Sequence, residues 1–237
     1  MSDPILSCSG VSKTFEVPLI PFGMLQDRLL RRPLLRERRR IAAVRDASLT
    51  IHSGEWVGLY GPNGCGKSTL LRMLGGLIAP DRGHVVCNGR LSCFDVTAGF
   101  HPERSGAENV HLHGLLHGLH PSAIPALEDR IFADADLQNH RNLPLKCYST
   151  GMQLRLGFTT AATVDADIYL FDEVLAVGDA AFRQRCQQTL RAMRQAGKTA
   201  LIVSHNLPEL HILCDRVLCM EGGRVLPEQQ YTVAASH

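Results

Sequence analysis

No run of about eighteen apolar residues occurs anywhere in the 237-residue chain, so no segment reads as a membrane-spanning helix. Its start, MSDPILSCSG, lacks a basic segment followed by a long apolar core, the mark of a secretory leader. A cytosolic protein is expected, with any membrane role coming through a partner. Excess charge is lacking too: the formal net charge of +2 is too small to argue for nucleic acid by itself. The eight cysteines are scattered singly with no CxxC pair, which fits a reducing compartment better than a disulfide framework or a zinc site. They are expected to be small buried residues. No internal repeat is found. With 45% hydrophobic residues, the chain is far from disordered composition and can bury one domain with a subdomain inserted in it.

What is present has the rhythm of an α/β protein. The strand signal EWVGLY, Glu55 to Tyr60, runs into a glycine-rich loop, after which Leu70, Leu71, Leu74 and Leu77 recur at helical spacing. Short apolar runs at Ile168 to Phe171 and Ala200 to Val203 read as buried parallel strands, joined across the polar helical stretch from Ala181 to Ala196. Two hairpins are expected, HVVCNGRL turning at Asn88-Gly89 and RVLCMEGGRVL turning at Gly222-Gly223, so an antiparallel piece should flank the parallel sheet. Between about Asp95 and Phe158 helical signals dominate. The resulting division is a core over residues 1–94, a helical subdomain over 95–157, a second part of the core over 158–226 and a short tail over 227–237. The stretch VPLIPFGMLQDRLLRRPLLRERRR, Val17 to Arg40, fits no core element, and Pro33 limits it to two short helices or one broken helix. It heads a basic insertion over residues 17–43, with arginines crowded between Arg28 and Arg45.

The chemistry starts at Gly61-Pro62-Asn63-Gly64-Cys65-Gly66-Lys67-Ser68, which satisfies GxxxxGK[ST] after a strand and before a helix. Glycines let the backbone wrap around phosphate so that its N–H groups and the helix N-terminus face the anion. Lys67 is expected to neutralise the terminal phosphates, and Ser68 to ligate Mg²⁺. A second apolar strand ends in Asp172-Glu173, where one carboxylate can hold the metal and the next can orient or deprotonate an attacking water. The plainer alternative is that two acids cap a strand. His205 follows the ALIVS strand, and strand ends in open α/β sheets converge on the ligand crevice. His111, His113, His117 and His120 raise a metal site, since His113 and His117 are four apart on an expected helix; no cysteine or carboxylate completes the set, so a surface or packed helix is expected.

With Tyr148-Ser149-Thr150-Gly151-Met152 these residues resemble the nucleotide-binding subunit of ABC transporters, a P-loop NTPase fold, over nearly the whole chain. YSTGM is similar to the family's signature motif, usually close to LSGGQ, and Ser149 precedes Asp172 by 23 positions, 172 − 149. Ala176-Val177-Gly178-Asp179 falls where the family has its D-loop and His205 where it has the switch histidine. The resemblance implies a homodimer that binds ATP between a phosphate loop, Gly61 to Thr69, and the partner's Ser149 and Gly151. STG before LRLGF also suits a plain helix cap.

YSTGM, GFHPERSGAENV and DEVLAVGDAAF together resemble the branch that exports cell-surface polysaccharide: O-antigen, capsule and teichoic-acid chains. That implies integral membrane permease subunits as partners, a place at the cytoplasmic face of the bacterial inner membrane, and for the basic insertion either contact with lipid headgroups and a lipid-linked glycan or simply a solvated face. The sequence departs from the family where the lobes join, since CFDVTAGFHPE holds no glutamine; Asp95 is the candidate replacement. Phe15 is either an adenine-stacking ring or a first-strand core aromatic. The expected activity is ATP hydrolysis coupled to transport, carried by Lys67, Glu173 and His205. The alternatives are an exporter of a lipid or drug, a soluble ABC ATPase on ribosomes or nucleic acid, which the absence of a second cassette or long coiled coil disfavours, and a scaffold without turnover, which Glu173 and His205 disfavour.

Overall fold

Two sheets and a helical lobe follow from three different hydrophobic periods along the chain. The computed structural model describes residues 4–18, 38–94, 100–172 and 180–226. Strands β1 (Pro4–Pro18) and β2 (Arg38–His52) form a long antiparallel pair running from Pro4 opposite His52 to Pro18 opposite Arg38. Leu6, Cys8 and Val11 of β1 are all buried although Val11 breaks the period of two. A register shift between Cys8 and Val11, with Gly10 at φ +59°, restores the inward face. Strand β4 (Arg82–Cys87) pairs with the other edge of β1, giving the order β2-β1-β4.

The second sheet has six strands in the order β5-β6-β7-β3-β8-β9. They are β3 (Trp56–Tyr60), β5 (Leu91–Phe94), β6 (Ile168–Asp172), β7 (Thr199–Ser204), β8 (Arg216–Glu221) and β9 (Arg224–Val225). Pairing is parallel except between β8 and β9. Helix α1 (Lys67–Leu74) lays Leu70, Leu71 and Leu74 on one face, against Leu59, Ile168, Leu170, Leu201 and Val203. Helix α5 (Ala180–Gln195) packs Phe182, Cys186 and Leu190 on the other, against Trp56, Tyr169, Phe171 and Ile202. Alternate residues of β3, β6 and β7 feed alternate cores, so these central strands are largely apolar on both sides, as a sheet covered on both faces requires. Helix α6 (Leu207–Leu213) follows β7, and Leu210 closes over Gly58, where a Cβ would meet its side chain at 3.2 Å.

The helical lobe holds α2 (Gly106–Leu116), α3 (Ile124–Asp134) and α4 (Thr150–Thr163) around Val110, Ile131, Phe132, Leu145, Tyr148 and Leu156. A full capping box opens α2: Ser105 Oγ accepts from Glu108 N–H at 3.2 Å while Glu108 Oε2 accepts from Ser105 N–H at 2.7 Å.

Four expectations change. Asn88-Gly89 does not turn a hairpin; β4 joins the antiparallel sheet and β5 the parallel one, because each strand finds its hydrogen-bond partners in a different sheet. The stretch from Val17 to Arg40 is not wholly outside the core elements, since Val17 and Pro18 continue β1 and Arg38 to Arg40 begin β2, with Val17 opposite Arg39. Helix α1 ends at Leu74, leaving Leu77 exposed. Finally, all eight cysteines are free but not all are buried: Cys87 and Cys147 face solvent. The second expected hairpin is present, with Gly222 and Gly223 at φ +54° and +85° between β8 and β9, values that a primed two-residue turn demands.

Candidate functional site

Strand β3 delivers the chain to Gly61 in register with the ends of its neighbours: Tyr60 lies opposite Ser204 of β7 and Cys219 of β8. From there the loop is held from three sides. A Cβ on Gly61 would stand 2.3 Å from Met220 O and 2.8 Å from Cys65 Sγ, and one on Gly66, at φ +111°, would stand 2.2 Å from Ala43 O. The hairpin tip adds a further tie, since Gly223 N–H donates to Cys65 O at 3.0 Å and Arg45 N–H to Gly223 O at 2.7 Å. Only Gly64, at φ +78°, has open space where its side chain would be. The loop is thus braced behind by β2 and the β8–β9 hairpin and open in front, a cradle shaped by absent side chains.

Lys67, the first residue of α1, is 6% exposed, and its ammonium donates to Gly61 O at 2.7 Å and Pro62 O at 3.0 Å. These bonds arch the loop over its own cation. Cys65 and Lys67 are buried, Ser68 and Thr69 half-buried, and Asn63 exposed at the rim. Asp172 shares the face of Ile168 and Leu170 by strand alternation, which is the face that α1 covers. It pairs with Val203, which in turn pairs with Leu59, so its strand lies two spacings, about 10 Å, from the one that feeds the loop. Ser68 and Asp172 therefore reach the same edge of the sheet on the same side. Their hydroxyl and carboxylate are hard oxygen donors, the chemistry a magnesium ion takes, and the glycine cradle leaves an anion room beside them. His205 is exposed immediately after β7, at the same edge.

The signature-like stretch is elsewhere, at the start of α4. Ser149 caps that helix, its Oγ accepting from Met152 N–H at 3.2 Å, and a Cβ on Gly151 would meet nothing within 4 Å. So this exposed helix start can let a second body approach closely. The segment leading into it is stitched to the one leading into α2: Gly106 N–H donates to Leu143 O, Ala107 N–H to Arg141 O, Leu145 N–H to Arg104 O and Lys146 N–H to Pro102 O, at 2.9 to 3.1 Å. Lys146 Nζ adds an ion pair with Glu103 at 2.6 Å. Neither this stitch nor the support from Ala43, Met220 and Gly223 was readable from motifs; the Gly222-Gly223 pair signalled a turn but not what it leans on.

Phe15 is half-buried in β1 opposite Ile41, outside the hydrophobic clusters, with Lys13 Nζ 6.0 Å from its ring centre. Ile41 is two residues along β2 from Ala43, so Phe15 stands near the back of the loop. The four histidines go separate ways. His111 Nδ1 meets Glu128 Oε1 at 3.1 Å, His120 Nδ1 meets Ser122 Oγ at 2.8 Å, and the His113 and His117 rings pack 4.4 Å apart. Burial pushes His113 down to about 4. Among the described residues no group of three or more His, Cys, Asp or Glu is placed to hold a metal. Glu173, the Ala176–Asp179 stretch, Asp95 and the arginines between residues 19 and 37 lie outside the described residues. No described helix is long and apolar enough to cross a membrane.

A family model described as ABC transporter matches residues 44–176, more than half of the chain. An O-antigen export system ATP-binding protein of Klebsiella pneumoniae is 42% identical over 188 residues, covering 79% of this chain and 76% of that protein. A teichoic acids export ATP-binding protein of Listeria innocua is 41% identical over 183 residues, and there the match spans 77% of this chain but 55% of the relative. Among solved structures, the ATP-binding cassette in a dimeric post-hydrolysis state with ADP and Pi superposes with a TM-score of 0.73 at 21% identity, over 94% of this chain and 97% of that one. At that identity the likeness speaks for the fold.

Proposed function

The chain belongs to the ABC transporter family, and we propose that within it the protein is the ATP-binding and hydrolysing subunit of an exporter of cell-surface polysaccharide. The braced loop carries this reading: side chains are excluded behind Gly61 and Gly66, space is left at Gly64, and a buried ammonium waits on Gly61 and Pro62 carbonyls. A triphosphate entering the cradle replaces those carbonyls around Lys67 with its own oxygens and meets the N–H groups of the loop from Gly61 to Thr69. Phe15, half-buried on β1 opposite Ile41, stacks on the adenine. Ser68 and Asp172 would hold Mg²⁺, which when bound neutralises charge on the phosphate oxygens.

Glu173, the residue after Asp172, polarises a water for attack on the γ-phosphorus; the new P–O bond forms as the bond to the bridging oxygen of ADP breaks. His205 contacts the γ-phosphate from the end of β7. A second copy supplies Ser149 and Gly151, so that ATP joins two subunits and hydrolysis releases them. Closure and release are passed to permease subunits at the cytoplasmic face of the membrane. Relatives named for O-antigen and teichoic-acid export support the substrate class. At the root of the basic insertion Arg38 and Arg40 pair with Glu16, and the exposed Arg39 between them suits lipid headgroups or the pyrophosphate of a lipid-linked glycan.

The test is Glu173→Gln, which should bind ATP and persist as a dimer in gel filtration; a variant that stays monomeric with ATP would refute the dimer mechanism. ATPase stimulation by lipid-linked glycan in the complex with the permease tests the substrate.

A further inference from the structure

Tyr148 is 5% exposed, although it directly precedes the exposed cap Ser149. Its hydroxyl donates to His140 O at 2.7 Å. Burial pushes its ionisation up to about 12, so the phenol remains a donor at any workable pH. Across the stitch stands Gly106, the first residue of α2, where a Cβ would come within 2.3 Å of the Tyr148 hydroxyl oxygen and 3.1 Å of Phe132 Cζ. The residue is therefore gripped on both sides: the hydroxyl by the turn before α4, and the end of the ring by a glycine that leaves it room. Gln153, one turn along, returns its Nε2–H to Leu145 O at 3.1 Å and Tyr148 O at 3.4 Å. A phenylalanine would fill nearly the same volume but would not make the bond to His140 O.

We propose that Tyr148 is a positioning residue for the nucleotide-facing end of α4: its bond to His140 fixes the direction in which Ser149 and the first N–H groups of the helix are presented to the ATP held by a second copy. The inference rests on the dimer reading above, and a cap displaced by as little as 1 Å would miss a γ-phosphate oxygen. Tyr148 touches no nucleotide itself. It acts through Ser149, whose Oγ and carbonyl accept from Met152 and Gln153 N–H at 3.2 and 3.0 Å.

The experiment uses Tyr148→Phe in the full chain, alone and with Glu173→Gln, and reads three quantities. Amide hydrogen exchange at Met152 and Gln153 without nucleotide should quicken about tenfold, the value of one lost hydrogen bond. ATP affinity of the monomer should stay within about twofold, because the phosphate loop belongs to the other lobe. The ATP concentration that drives dimerisation should rise about tenfold. Gly106→Ala should produce the same dimerisation defect by pushing the hydroxyl off His140 O, and adding Tyr148→Phe should make that defect no larger, since both changes remove the one bond. Unchanged exchange in Tyr148→Phe overturns the proposal whatever the dimer does. An equal loss of monomer ATP affinity also overturns it, by marking general damage. If the parent Glu173→Gln never dimerises, the dimer reading fails, and the exchange arm still decides whether Tyr148 orients the cap.

Discussion

The carbonyl oxygen of Ala43 stands 2.2 Å from the point where a Cβ on Gly66 would project, closer than such atoms approach in real structures. A residue of the antiparallel sheet thus dictates what can occupy a loop of the parallel one. The contact explains why the loop has a firm back and an open front, and it separates the three glycines into different kinds.

Gly66→Ala should destabilise the protein by about 2–3 kcal/mol or more, because positive φ and a backbone clash combine. Gly64→Ala meets nothing within 4 Å and has only its φ of +78° to contend with, so about 1–2 kcal/mol is expected, while nucleotide affinity drops as the methyl enters the anion's space. Thermal unfolding with nucleotide titration separates the two. Equal destabilisation would mean that Ala43 does not brace the loop.

Lys67→Ala removes the ammonium that now bonds to Gly61 O and Pro62 O. ATP affinity should fall about a hundredfold, the scale of two charge-assisted hydrogen bonds. The fold should survive, since Pro62 is at the surface and water can reach that side of the loop. Circular dichroism and isothermal titration would check both halves of the expectation.

Ser149→Ala loses the cap on α4, worth about 1 kcal/mol, and leaves the phosphate loop alone. Monomer ATP binding should be intact and turnover lost. Mixing Ser149→Ala with Lys67→Ala should restore turnover that neither variant shows, because the mixed dimer has one complete site. No recovery on mixing would argue that both motifs serve one nucleotide within a single copy.

Falling pH should loosen the helical lobe. The His113 ring, packed on His117 and edge-on to Phe100, is buried enough to pull its pKa from 6.5 to about 4. The unfolded chain therefore binds the proton first, so stability is full above about pH 6.5 and is lost progressively as pH drops towards 4. The loss reaches up to roughly 3 kcal/mol. His117 is shifted in the same direction by burial. Urea unfolding at several pH values should show this slope, and His113→Leu should flatten it.

Much of the site was legible in local sequence. The GPNGCGKS stretch and the placing of Asp172 at a strand end and His205 after another strand needed only spacing and strand periodicity, while a role for His205 came from the family resemblance. Ser149 was recognised as a cap by residue type. Asn88-Gly89 misled because a turn dipeptide says nothing about which sheet each flanking strand joins; β4 and β5 answer to partners far away in sequence, β1 and β6. Phe15 could not be assigned to core or surface because the bulges of β1 shift which residues face inward.

Taken alone, the sequence determined the phosphate loop, the parallel strands with their crossover helices, and the helical insertion, because each depends on interactions within a few residues or on a short period of hydrophobicity. The tertiary structure decided what stands behind the loop and what holds the segment that leads into α4. Ala43, Met220 and Gly223 reach Gly61, Cys65 and Gly66 across two sheets, and Tyr148 finds His140 and Gly106 across a stitched pair of segments. Such contacts end on backbone carbonyls and glycines, which carry no side-chain pattern to read, so only the folded chain reveals them.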